Sequence, residues 1–247
     1  WLRFPQIADF EINLNKQRIT AYGHKCTTDA TVRHLLLDQV IPRTLGQQGK
    51  FILHAGAVTL VNGKTVAFIG QSGWGKSTLV SSIQQQGAEL ITDDCLLIEQ
   101  GNGSVLAIPN YYGIRLFEDS INAIFGEQND TGDVAHYSSK RRLIMSGSSE
   151  GKVAPPLQID AIFLLSDPRA VSTSEEVNII AARGTDAMMT LVAQTFVLDV
   201  TDTSLMARQF KLCGNIFDSN IPCFQLVYPR DHSRLDEVRK AIESVLE

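Results

Sequence analysis

The chain has 247 residues, of which 44% are hydrophobic and 20% are charged, so it can bury one substantial core. Its formal net charge of -5 provides no basic field for a nucleic-acid backbone or an anionic membrane, which disfavours both partners. No stretch approaches the roughly 20 apolar residues that cross a bilayer, and a signal-peptide pattern is absent. The four cysteines are far apart and lack zinc-ligand spacing, so we interpret them as reduced thiols of a cytoplasmic protein.

The first 50 residues are predicted to form two strands and a helix. Alternating apolar residues over Phe10–Tyr22 predict two short strands joined by a turn. A helix is expected from Asp29 toward Leu45, and Pro42 should kink or end it. Because the chain starts at Trp1 and runs straight into strand-like sequence, we expect residues 1–50 to be the remnant of a longer N-terminal segment.

Residues 51–98 are predicted to form an antiparallel hairpin that feeds a glycine-rich loop and a helix, followed by two more strands. In order, these are strand Phe51–Val61, turn Asn62-Gly63, strand Thr65–Gly70, helix Ser77–Gln86 ended by Gly87, strand Glu89–Thr92, the pair Asp93-Asp94 and strand Cys95–Ile98.

The remaining residues continue the alternation of strands and helices, which predicts a mixed α/β fold with a mixed sheet flanked by helices. The predicted features are a turn at Gly101-Asn-Gly103, a helix over 117–125, a surface loop over 126–151 with one short strand, strands over 159–165 and 177–182, helices over 186–196 and 204–212, a strand over 224–228 and a helix over 234–246.

The segment from Gly70 to Ser77 matches the phosphate-loop pattern G-x-x-x-x-G-K-[ST], between an apolar strand and a helix. Its glycines allow successive backbone N–H groups to point at phosphate oxygens, and the following helix adds its positive dipole end. Lys76 is expected to contact the outer phosphates of ATP, and Ser77 to bind Mg2+. The predicted nucleotide-binding residues are Gly70, Gln71, Ser72, Gly73, Trp74, Gly75, Lys76, Ser77 and Thr78.

Two features of this loop leave alternatives open. A glycine-rich turn between a strand and a helix can also bind nothing. Trp74 is unusual at its position, and it either stacks on the nucleotide or substrate or packs against the loop.

The pair Asp93-Asp94 follows a short apolar strand soon after the loop and its helix. Phosphate transfer to a hydroxyl needs a carboxylate for the metal and usually one for the hydroxyl proton, and neighbouring residues at a strand end point to different sides. The alternative is a solvated turn. His54 should lie beside the strand that feeds the loop, where it either reaches the terminal phosphate or is a buried histidine bonded to backbone.

The motifs Leu53-His54-Ala55, Gly70–Ser77 and Leu90–Asp94 together resemble the catalytic domain of HPr kinase/phosphorylase, a family related in fold to the ATP-dependent phosphoenolpyruvate carboxykinases. The resemblance implies a catalytic domain over residues 51–247. It also implies that Asp93 is the general base, that Asp94 serves the metal and that His54 lies near the transferred phosphate. The roles of the two aspartates can be exchanged.

The C-terminal signature for the phosphorylase reaction and for the protein substrate is not found here. The run from His34 to Pro42 and the late Val227-Tyr-Pro-Arg230 are more similar to the shorter HPr-kinase-like proteins of lasso-peptide gene clusters. That resemblance implies phosphorylation of the C-terminal serine of a precursor peptide. The wider family also implies a homo-oligomer, for which the sequence shows no legible surface patch.

Three basic residues are further candidates to hold a phosphate or a peptide carboxylate, with solvated surface as the alternative. They are Arg115, Lys140 and Arg142. The leading hypothesis is a serine kinase with catalytic residues Asp93, His54 and Lys76 and metal ligands Ser77 and Asp94. The alternatives are a kinase for an HPr-like protein or a free small-molecule hydroxyl, and a nucleotide-binding sensor without transferase activity.

Overall fold

A computed structural model describes residues 1–101, 103–110, 113–127, 129–144, 154–172 and 176–247. The strands are β1 (Leu2–Phe4), β2 (Ala8–Asn13), β3 (Arg18–Gly23), β4 (Phe51–Thr59), β5 (Thr65–Ile69), β6 (Glu89–Thr92), β7 (Cys95–Gly101), β8 (Ser104–Ile108), β9 (Gly113–Leu116), β10 (Thr131–Asp133), β11 (Arg141–Ile144), β12 (Leu157–Gln158), β13 (Ala161–Leu165), β14 (Asn178–Ala181) and β15 (Cys223–Val227). The helices are α1 (Asp29–Leu35), a π-helical turn (Leu36–Val40), α2 (Ile41–Gln47), α3 (Lys76–Gln85), α4 (Glu118–Phe125), α5 (Gly184–Ala193), α6 (Thr203–Asp218) and α7 (Leu235–Ser244).

The largest sheet has nine strands, and its strand order is β12-β8-β7-β4-β5-β13-β15-β14, with β6 pairing to β4 beside β7. Strands β5, β13 and β15 run parallel, whereas β4 and β14 are antiparallel to their neighbours. The predicted mixed α/β class is therefore confirmed. Two smaller antiparallel sheets, β1-β2-β3 and β10-β11-β9, lie outside it.

The central strands are buried on both faces because helices cover each side of the sheet. Val66 and Phe68 of β5 belong to a core that includes residues of α3, α4 and α7. Their neighbours Ala67 and Ile69 belong to a second core with residues of α5 and α6. This two-sided burial explains why β5 reads as a continuous apolar run rather than as an alternating one.

The acidic pair interrupts what would otherwise be one long strand. Both β6 and β7 pair with the same edge of β4 in one register across the junction, and a register shift occurs within the β4–β6 pair, between Ala57 and Val58. The backbone N–H of Ala55 donates to the carbonyl oxygen of Asp94 at 3.1 Å. At Gly56 an added Cβ would lie 2.7 Å from Val80 Cγ2 and 3.3 Å from the Asp93 carbonyl oxygen. Asp93 and Asp94 therefore lie in a break between β6 and β7, close against Gly56 of β4.

Two sequence predictions change in detail. The loop predicted over 126–151 with one short strand contains β10 and β11 in its described part; residues 128 and 145–151 lie outside the described residues, as does Asn102 of the predicted turn. Pro42 does not end the helical segment. It lies in the first turn of α2, directly after the π-helical turn, where a missing N–H costs little.

Within the described part of the chain, none of the helices combines the length and the apolar character that crossing a bilayer requires.

Candidate phosphate-binding and acceptor site

Strand β5 leads directly into the phosphate loop, and α3 begins at Lys76. Gly73 and Gly75 have φ angles of 82° and 90°, in the left-handed region that favours glycine. At Gly75 an added Cβ would also lie 3.1 Å from the Tyr228 hydroxyl oxygen. The glycines of the motif are thus required by the backbone path of the loop.

The Lys76 ammonium group lies inside the curve of the loop. Its Nζ donates to the carbonyl oxygens of Gly70 at 2.7 Å and Gln71 at 3.1 Å, and the residue is only 5% exposed. Burial lowers the pKa of Lys76 to about 8, although Asp94 and Asp93 favour its charged form. An anion bound in the loop would stabilise this desolvated cation.

Arg230, in the segment that follows β15, supports the phosphate loop. The Arg230 guanidinium donates to the carbonyl oxygens of Trp74 at 3.0 Å, Tyr228 at 2.6 Å and Ser166 at 2.7 Å, and it stacks over the Tyr228 ring. The Trp74 side chain packs against Gly70 and the adjacent core.

Arg230→Lys is expected to weaken nucleotide binding by roughly tenfold or more, because a lysine cannot replace a planar fork that serves three carbonyl oxygens. Calorimetric titration with Mg-ATP measures the change. Arg239→Lys is the matched control, since Arg239 pairs with Asp236 and Glu243 on α7, away from the loop. Equal affinity of Arg230→Lys and the parent protein would show that Arg230 does not shape the loop.

Asp93 is almost fully buried, with 2% exposure. Its Oδ2 accepts the backbone N–H of Arg115 at 3.1 Å, while its Oδ1 has no hydrogen-bond partner among the described residues. Burial raises the pKa of Asp93, and the Arg115 guanidinium and the Ser77 hydroxyl partly oppose that rise. A buried carboxylate oxygen without a donor, beside the hydroxyl of the loop, is a fitting ligand for a cation.

Asp94 has a different environment from its neighbour. Its Oδ1 lies 2.8 Å from His54 Nε2, and its Oδ2 lies 3.0 Å from Arg115 Nη2. Burial alone would raise the pKa of Asp94, but the hydrogen bond with His54 and the charge of Arg115 outweigh it and hold the pKa well below its usual range. The other ring nitrogen of His54 lies 3.2 Å from Gln194 Oε1. His54 therefore bridges two side chains instead of bonding only to backbone.

Arg115 links this dyad to the N-terminal helical segment. Its Nη1 forms an ion pair with Asp38, which also lies 2.6 Å from His34 Nδ1. Arg115 and Asp38 are 7% and 6% exposed. Burial disfavours the charged form of Arg115, but its three neighbouring carboxylates raise its pKa above the usual range. The π-helical turn Leu36–Val40 places Asp38 at this point, as such turns often do at functional sites.

Lys76, Asp94 and Arg115 line one cleft beside the phosphate loop, whereas Asp93 and Asp38 do not. Its lining residues come from β4, the loop, α3 and the strands that follow: His54, Ser72, Gly73, Gly75, Lys76, Ser77, Thr78, Asp94, Arg115, Leu116, Phe117 and Lys140. Lys140 lies with its ammonium 5.4 Å from the centre of the Phe117 ring. Arg142 is buried opposite Arg115 in the β9–β11 pair and is not one of the residues that line the cleft.

Sequence reasoning missed three residues that organise the cleft. Asp38 carried a usable signal, since it is a lone acid within the apolar run Leu35-Leu-Leu-Asp-Gln-Val40. Arg230 has a sequence signal only through the family resemblance of Val227–Arg230. Gln194 lies 140 positions from its partner His54, and no local pattern marks it.

Comparison with solved structures shows a distant likeness. The HPr(Ser) kinase/phosphatase from Coxiella burnetii is similar to this chain with a TM-score of 0.39 and 12% identity, over 79% of this chain and 96% of that chain. No protein-family model matches the sequence, and neither does any curated protein. A likeness at this TM-score supports no conclusion about activity, so the functional proposal is based on the chemistry of the cleft.

Proposed function

We propose that this protein is a kinase that binds Mg-ATP at Gly70–Ser77 and transfers the terminal phosphate to a serine hydroxyl. The observation that carries the proposal is the convergence of Lys76, Ser77 and Asp94 on one cleft. A phosphate loop alone explains nucleotide binding. A carboxylate in the same cleft, oriented by His54 and Arg115, adds what transfer to a hydroxyl requires.

The residues around Ser77 fit a magnesium site. The Ser77 hydroxyl and the Oδ1 atom of Asp93, which accepts no hydrogen bond from the described residues, supply hard oxygen ligands. Burial makes a charged Asp93 carboxylate unfavourable unless a cation lies nearby. When bound, Mg2+ would neutralise charge on the phosphate oxygens. We therefore assign Asp93 to the metal, which is the exchanged assignment that the sequence left open.

In this assignment Asp94 receives the acceptor hydroxyl. Its side chain is 22% exposed, whereas Asp93 is 2% exposed. The serine oxygen attacks the terminal phosphorus in line, the bond to the bridging oxygen of ADP breaks, and the hydroxyl proton passes to Asp94. Its lowered pKa is compatible with this role, because a loose transition state requires orientation of the hydroxyl more than a strong base. Both ring nitrogens of His54 are engaged, so His54 is a positioning residue.

The acceptor that we favour is the C-terminal serine of a precursor peptide, an assignment that comes from the sequence resemblance. Lys140 lines the cleft and offers a cationic group for a terminal carboxylate, whereas Arg115 is already paired with Asp38 and Asp94. An HPr-like protein or a free hydroxyl compound would use the same chemistry with different contacts.

Mass spectrometry after incubation with Mg-ATP tests the acceptor. We expect a gain of one phosphate on a peptide that ends in serine, and at least tenfold slower transfer when the same peptide carries a C-terminal amide or when free serine replaces it. Transfer only to a folded carrier protein would contradict the peptide assignment. Nucleotide binding without phosphate on any of these acceptors would instead identify a sensor.

A further inference from the structure

A second pocket lies beside the cleft, on the side of Asp94 and Arg115 that faces away from the phosphate loop. Its volume is about 230 Å³. Asp94 and Arg115 line both the pocket and the cleft, so the two spaces meet at these side chains. A group held in this pocket would be next to the carboxylate that we assign to the acceptor.

Most of the pocket wall is apolar, and its polar lining residues are Thr92, the acidic pair, Asn110 and the Arg115–Asp38 ion pair. From the N-terminal helical segment, Leu37, Ile41 and Leu45 recur every four residues and form one stripe along its surface. All three are only partly buried, as is Leu97 of β7 on the opposite wall. Apolar side chains that remain partly accessible around a concave surface are typical of ligand sites.

We propose that this pocket binds the apolar side chain of the residue next to the acceptor serine. This inference rests on the proposed kinase function. The volume is below the range of about 300–1,000 Å³ that is typical for whole small-molecule ligands, and it suits one aliphatic or aromatic side chain. A charged neighbour would lose hydration against Leu37, Ile41 and Leu45 without gaining a partner, because Arg115 is already paired with Asp38 and Asp94.

A series of short peptides tests this on the parent protein. The peptides end in Gly-Ser, Leu-Ser, Phe-Ser or Asp-Ser and are otherwise identical. The expected result is that kcat/KM for Leu-Ser or Phe-Ser exceeds that for Gly-Ser by about 10- to 200-fold, with Asp-Ser the slowest. Equal kcat/KM across the series would overturn the inference and leave the kinase function intact.

Filling the pocket provides the second test. Ile41→Trp is expected to remove the preference for Leu-Ser and Phe-Ser while leaving Mg-ATP binding by calorimetry unchanged. Met189→Trp on α5 is the matched control, because Met189 is an exposed helical residue away from the pocket. A preference that survives in an Ile41→Trp protein with normal Mg-ATP binding would contradict the inference. Absence of transfer to every peptide by the parent protein would refute the peptide acceptor and this inference with it, and the carrier-protein and free-serine incubations would then decide whether the protein is a kinase.

Discussion

Replacement of Lys76 by methionine is expected to lower kcat for phosphate transfer by roughly 10³-fold or more, because the variant loses the charge that stabilises the transferred phosphate. Methionine keeps most of the apolar stem of lysine. It also removes a buried ammonium whose pKa burial already lowers to about 8, so the Tm should change little. The effect is therefore expected on Mg-ATP affinity and transfer, measured by calorimetry and by mass spectrometry of the peptide.

Lys64→Met is the matched control for this experiment. Lys64 follows the turn between β4 and β5 and forms a partly exposed ion pair with Asp160, so its loss should leave transfer unchanged. Parental activity of the Lys76→Met protein would show that the phosphate loop does not take part in the transfer.

Asp94→Asn is expected to lower the rate of transfer by roughly 10²- to 10⁴-fold, while Mg-ATP binding persists. The amide can still accept a hydrogen bond from His54, but it cannot take the hydroxyl proton, and its NH2 group would face Arg115 Nη2 as a second donor. Peptide phosphorylation at saturating Mg-ATP measures the loss.

Asp93→Asn provides the contrasting variant. If Asp93 serves the metal, this change should raise the Mg2+ concentration needed for half-maximal transfer and leave substantial activity at saturating Mg2+. Asp133→Asn, in an exposed ion pair with Arg141, is the control for a change of charge. The reverse pattern, with Asp93→Asn inactive at all Mg2+ concentrations and Asp94→Asn active, would return the base role to Asp93.

The sequence predicted the central elements well where a local pattern determines them. The Asn62-Gly63 turn is bounded by β4 and β5, and the predicted strand Glu89–Thr92 coincides with β6. The phosphate loop could be predicted because eight consecutive residues, with glycine, lysine and serine at fixed positions, specify its backbone shape. The roles of the site residues remain proposals.

The contacts between distant segments could not be predicted. The ion pair of Asp38 with Arg115 joins the N-terminal helical segment to β9, and although Asp38 stands alone in an apolar run, no sequence pattern identifies Arg115 as its partner. The π-helical turn that carries Asp38 has no sequence signal of its own, since Pro42 favours a helix end at this position. The different environments of Asp93 and Asp94 depend on tertiary burial, which adjacent positions in a sequence do not reveal.

The most direct test of the central claim is a crystal structure with Mg2+ and a non-hydrolysable ATP analogue. The account requires the outer phosphates to accept hydrogen bonds from the backbone N–H groups of the loop around Gly73–Ser77 and from Lys76 Nζ, with the terminal phosphate on the side of Asp94. A triphosphate bound away from the loop, or one whose terminal phosphate points away from Asp94, would contradict it.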